Sequence, residues 1–87
     1  MTPYVITNHA REEMTIRGIA ESTLDAVLRN PGQIVTVKNG LVAYQSVVFS
    51  DTGPNMLIRV IVTHGELPLR VVTVYQTSKI TKYWRAS

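Results

Sequence analysis

At Gln33 the spacing of the apolar residues changes, and this change constrains the fold more than any other feature of the chain. Before it, apolar side chains recur three or four residues apart, Ala10 with Met14 and Leu24 with Val27 and Leu28, which is the period of an amphipathic helix. Beyond it the period is two and β-branched residues dominate, over Gln33 to Lys38, Leu41 to Phe49, Met56 to Thr63 and about Leu69 to Tyr75. Two helices should therefore lead into four strands. Asn39-Gly40 joins the first two strands as a two-residue type I′ turn, because both residues tolerate positive φ, and it pairs Val37 with Val42 and Val35 with Tyr44. Asp51-Thr52-Gly53-Pro54-Asn55 and His64-Gly65-Glu66 make the later turns. The expected fold is α+β, with two N-terminal helices packed on a four-stranded antiparallel β-sheet and a short helix or turn at the C-terminus. Its 87 residues suffice for a single domain, residues 1–87, with a thin core.

The helix ends are marked. Thr7 or Asn8 can cap a first helix running to Arg17, and Gly18 stops it. Glu12 and Glu13 are early enough to suit its dipole, and Ile6 or Ile16 should pack beside Ala10 and Met14. A second helix runs from about Ala20 or Glu21 to Arg29, ended by Asn30-Pro31-Gly32. Tyr4-Val5-Ile6 reads as a short extended lead-in. The nearly unbroken apolar run from Met56 to Val62 suits a central strand, and Arg59 interrupts it. A period of two puts Arg59 with Leu57, Ile61 and Thr63, a face that a partner or the C-terminal segment should cover. Arg59 either pairs with a glutamate or binds a substrate. At the end of the chain Ile80, Tyr83 and Trp84 should dock inward, while Lys79, Lys82 and Arg85, spaced by three, would be neighbours on a helix.

Charge narrows the partner. Through Gly32 there are three basic and four acidic residues; beyond it Lys38, Arg59, Arg70, Lys79, Lys82 and Arg85 face only Asp51 and Glu66. The net +3 therefore lies on the second part, which suits a polyanion such as nucleic acid. The absence of cysteine excludes disulfides, thiolate catalysis and cysteine-held zinc. No apolar run is long enough for a membrane span, and Met1-Thr2-Pro3-Tyr4 lacks the features of a secretory signal, so a cytoplasmic protein is expected. There is no glycine-rich phosphate loop, internal repeat or metal-ligand spacing, and no cofactor or metal is expected. His64 sits in a turn. His9, in the first turn of a helix, is different: the positive end of the dipole favours a neutral imidazole and attracts phosphate.

Ile6-Thr7-Asn8-His9-Ala10-Arg11, Arg17-Gly18-Ile19, Asn30-Pro31, the strand bearing Arg59, and Val74-Tyr75-Gln76-Thr77-Ser78-Lys79 before Tyr83-Trp84 occur in an order spanning nearly the whole chain. In this the sequence resembles a small prokaryotic domain-of-unknown-function family grouped with RelE-like and BrnT-like type II toxins. The resemblance implies the barnase, colicin D and RelE type of fold. It implies the toxin of a toxin–antitoxin pair, a metal-independent RNA endonuclease, with RNA and a cognate antitoxin as partners in a homodimer or hetero-oligomer. It carries the helix histidine onto His9, the helix-end arginine onto Arg17, the strand arginine onto Arg59, and the residues after the last strand onto Thr77, Ser78 and Lys79. Tyr44 matches a tyrosine common on the second strand, and Gln76 stands where a proline is expected, which should loosen the following loop.

Cleavage of this kind moves the 2′-hydroxyl proton to a base while the 2′-oxygen attacks phosphorus. The bond to the 5′-oxygen breaks, an acid protonates that oxygen, and a 2′,3′-cyclic phosphate remains. Here His9 would be base or acid, Arg59 the phosphate clamp, Lys79 a second cation or proton donor, and Thr77 or Ser78 a donor to a phosphate oxygen. Arg11, Arg17, Lys82 and Arg85 would guide the RNA backbone. An RNA-binding module without turnover, a gyrase-type poison and a purely structural interaction protein are the alternatives.

Overall fold

The computed structural model of the chain describes residues 3–85. In chain order the elements are β1 (Tyr4–Ile6), α1 (Asn8–Arg17), α2 (Glu21–Arg29), β2 (Gln33–Thr36), β3 (Leu41–Val48), β4 (Met56–Thr63), β5 (Leu69–Thr77) and α3 (Ile80–Tyr83). Both long helices begin and end close to where their signals fall. The Thr7 side chain accepts from Ala10 N–H, Gly18 closes α1 at φ 67°, and α2 starts at Ala20 without a side-chain cap. Glu12 and Glu13 lie beyond the first turn of α1, which carries no acidic residue.

The sheet is not the four-stranded antiparallel sheet expected. It has five strands in the order β1-β5-β4-β3-β2, and β1 runs parallel to β5, pairing Tyr4 with Leu69, Val5 with Arg70 and Ile6 with Val71. Three residues show no period of their own, so this strand is defined by its distant partner. Bonds at both ends extend the pairing, Leu69 N–H to Pro3 C=O and Thr7 N–H to Val71 C=O. The Thr7 hydroxyl also donates to Val71 C=O at 2.8 Å, joining the cap of α1 to β5. β4 does lie in the centre.

The first hairpin departs from the expected register by one residue. Asn39 and Gly40 have the anticipated positive φ angles, 61° and 73°, but Lys38 stands outside the ladder and Val37 N–H bonds to Leu41 C=O. Ile34 rather than Val35 therefore lies opposite Tyr44, and Thr36 opposite Val42. Both helices cover one sheet face, where Ala10, Met14, Ile19, Leu24 and Val27 meet Val42, Ile58, Val60, Val62, Leu69, Val71 and Val74. Ile6 packs against this core, whereas Ile16 is 79% exposed and contributes nothing to it.

Tyr4 fastens the short strand to α2. Its hydroxyl donates to Asp25 Oδ1 at 2.8 Å, while Arg29 Nε donates to Asp25 Oδ2 at 2.7 Å. Burial, followed by the hydrogen bond to Asp25 and its negative charge, pushes the Tyr4 phenol up to about 12. A raised phenol stabilises the fold fully below its unfolded value near 10, and the contribution disappears as pH rises through 12. Tyr4→Phe should accordingly cost about 1 kcal/mol at pH 8 and become neutral at alkaline pH, as measured by denaturant midpoints.

Candidate nucleic-acid interface

The sheet face away from α1 and α2 holds the most unusual polar cluster in the chain. Side chains alternate along β4, so Leu57, Arg59 and Ile61 point away from the helices, and all three are buried. The C-terminal segment is the cover. Tyr83 lies over Arg59, with the guanidinium carbon 4.5 Å from the ring centroid, and Tyr75 stands edge-on to Tyr83 at 6.2 Å. Arg59, only 8% exposed, donates from Nε to Gln45 Oε1 at 2.8 Å and from Nη1 to Tyr75 Oη at 2.6 Å. The glutamate pairing considered from the sequence is absent: its partners are an amide, a phenol and two rings.

Gln45 passes the connection on. Its Oε1 is used by Arg59, so its Nε2 donates, to Gln33 Oε1 at 3.0 Å and to Tyr83 C=O at 3.2 Å. Gln33 in turn holds both backbone groups of Arg85, accepting from its N–H at 3.0 Å and donating to its C=O at 2.6 Å. Two glutamines, 33 and 45, thus tie the sheet to the end of the chain. Sequence reasoning passed over both, although a glutamine within the alternating run of β3 was a signal of a buried polar contact. No buried side-chain polar atom among the described residues lacks a partner.

The proposed site residues divide between the two faces. Tyr75 is paired with Arg59, and Thr77, two residues on, shares its face opposite Leu57. The Thr77 hydroxyl accepts from Lys79 N–H at 3.1 Å and so shapes the turn through Ser78. Lys79 is the cap residue of α3, Lys82 lies within it with Nζ 5.3 Å from the Tyr83 ring, and Arg85 follows it. The helix is a single turn that contains only Lys82, with Lys79 and Arg85 on either side of it, so these cations do not form the expected row along one helix. Gln76 belongs to β5 opposite Ile58, and its amide reaches Arg17 C=O at 3.5 Å.

His9, Arg11 and Arg17 are on α1, on the other side of the sheet. His9 is exposed, 3.8 Å from Glu13, and Glu13 also accepts from Arg17 Nε at 2.6 Å. Arg11 pairs with Glu21 at 2.9 Å. Tyr44 also faces the helices, packed against their core. The sheet therefore stands between the imidazole and the guanidinium. His9 and Arg59 do not form one site.

Charge follows the same division. Every arginine of α1 and α2 has a carboxylate partner, whereas Lys79, Lys82 and Arg85 pair with no carboxylate among the described residues. None of the strands and no residue of α3 is acidic. The described residues contain no group of metal-ligating side chains and no helix long and apolar enough to cross a membrane.

A five-stranded mixed sheet with two helices on one face and a basic, aromatic cluster on the other defines the class of this domain. The chain belongs to DUF4258, a family described as a domain of unknown function, whose model matches residues 6–76. No curated protein and no solved structure matches it.

Proposed function

We propose that this chain is the toxin of a type II toxin–antitoxin pair and that it engages RNA on the face bearing Arg59, cleaving it without a metal ion. The observation that carries the reading is the set of cations with no carboxylate partner among the described residues, Lys79, Lys82 and Arg85, beside the Arg59, Tyr75 and Tyr83 cluster. Cations track a phosphate backbone and aromatic rings stack on bases, the combination that single-stranded RNA requires. With His9 on the other side of the sheet and His64 in the turn after β4, proton transfer falls to lysine and tyrosine. The 2′-hydroxyl would lose its proton to Lys79 or Lys82 in amine form. The 5′-oxygen would gain one from a tyrosine hydroxyl or a second ammonium, leaving a 2′,3′-cyclic phosphate. Arg59 would offset charge on the phosphorane.

The test is induction of the chain in bacteria with and without the adjacent reading frame, followed by mapping of RNA ends and incubation of purified protein with RNA in EDTA. Growth arrest relieved by the neighbouring product, with EDTA-resistant cleavage leaving cyclic phosphate ends, is expected. Intact RNA in both settings would refute nuclease action.

One observation favours a second reading, RNA binding without turnover. Among the described residues, neither the strands nor α3 contain a carboxylate or imidazole, the groups best suited to proton transfer near neutral pH. Salt-sensitive binding with no cleaved product would select it.

A further inference from the structure

Arg59 is buried with no counter-charge among the described residues. Its partners are neutral, the Gln45 carbonyl, the Tyr75 hydroxyl and the Tyr83 ring, and a desolvated guanidinium in such a setting attracts an anion strongly. What separates it from solvent is the segment 79–85, and that cover is lightly held. None of the side chains of α3 is fully buried, and Tyr83 and Trp84 are only half-buried. The segment makes no ladder bonds to the sheet. Its polar ties to the sheet are Lys79 N–H to the Thr77 hydroxyl at its start, Gln45 to Tyr83 C=O, and the paired bonds of Gln33 with Arg85. Trp84 rests against Gly32, where an added Cβ would lie 2.9 Å from Cη2 of the ring.

We infer that residues 79–85 form a displaceable latch over an anion-binding site, and that a phosphate or phosphodiester reaches Arg59 when Tyr83 moves aside. The inference rests on the reading of this face as the RNA interface and adds how it opens. The ring gives up a cation–π contact, and a phosphate oxygen takes its place at the guanidinium. Lys79 and Lys82 travel with the latch and can follow the same anion. Because the closed form withholds Arg59, apparent affinity falls by the fraction of molecules that are open.

Two substitutions open the latch in different ways without altering a cation. Gln33→Ala removes both bonds to Arg85. Gly32→Ala, at a position with no positive φ, crowds Trp84 and leaves Gln33 in place. Trp84 is the only tryptophan, so its emission reports the latch directly. Pyrophosphate and a ten-nucleotide oligouridylate serve as probes for the wild type and both variants. Expected results are red-shifted emission from wild type on saturation with either probe, red-shifted emission from the variants without a probe, and roughly five- to tenfold tighter binding by the variants. Arg59→Lys in the Gln33→Ala background should lose that gain. Circular dichroism verifies that each variant is folded, and if one is not, the other and the wild-type emission decide. Pyrophosphate binding that tightens while the oligonucleotide stays unbound would keep the latch and refute the RNA reading. Emission unchanged at saturation, or variants binding neither probe more tightly than wild type, would overturn the latch.

Discussion

Arg59→Ala is expected to destabilise the chain by about 3–5 kcal/mol, which for a domain of this size lowers Tm by more than about 12 °C. The loss has three sources on one side of the sheet. The charged hydrogen bonds to Gln45 and Tyr75 disappear, a cavity opens beside fully buried Leu57, and Tyr83 no longer has a cation beneath its ring. Gln45 is itself fully buried, so its freed carbonyl has no water to turn to and the amide chain toward Tyr83 and Arg85 loosens. Arg59→Lys should recover part of the loss by keeping charge without the two-nitrogen fork. His9→Ala, on an exposed side chain, should stay within about 0.5 kcal/mol of the wild type. Denaturant titration of the three variants is sufficient. A cost below about 1 kcal/mol for Arg59→Ala would mean that the cluster is already open to water in solution.

The second large effect is on polyanion binding. Replacing Lys79, Lys82 and Arg85 together by alanine should weaken binding of a single-stranded RNA by roughly 10- to 100-fold at about 0.1 M salt and flatten the slope of log K against log salt by about 2, at about 0.7 per phosphate contact. The informative control removes the same number of charges elsewhere. Alanine at Arg11, Arg17 and Arg29 changes net charge equally, yet each of these already faces a carboxylate, at 2.9, 2.6 and 2.7 Å. Their loss should reduce affinity by less than about threefold. Equal losses from the two triple variants would show that net charge, not its placement, governs binding.

Much of the fold was legible because its signals are local. Thr7 and Gly18 bracket α1 through cap chemistry, Asn39 and Gly40 adopt the positive φ angles that these residue types tolerate, and the apolar run of β4 marks the middle strand. The failures are non-local. Tyr4–Ile6 is a strand only because β5 lies beside it, and a single residue, Lys38, leaving the ladder changes every partner across the first hairpin. The site followed the same pattern. Alternation predicted that the face of Arg59 needs a cover and that Tyr83 and Trp84 dock, and the C-terminal segment supplies that cover. Alternation already puts Arg59 on the face away from the helices, so its union with His9 rests on chemistry alone, and the sheet separates them. The partners of Arg59 lie 14, 16 and 24 positions away in the chain, at Gln45, Tyr75 and Tyr83, beyond the reach of any local motif.

The central claim is that RNA is met by the face carrying Arg59 and the C-terminal cations, not by α1. Titrating isotope-labelled chain with a ten-nucleotide oligouridylate and following backbone amide shifts by NMR tests it directly. Shifts concentrated at Gln45, Leu57–Ile61 and Thr73–Arg85, with α1 quiet, are the expected result. Shifts concentrated at His9, Arg11 and Arg17 with the Arg59 strand unmoved would contradict it.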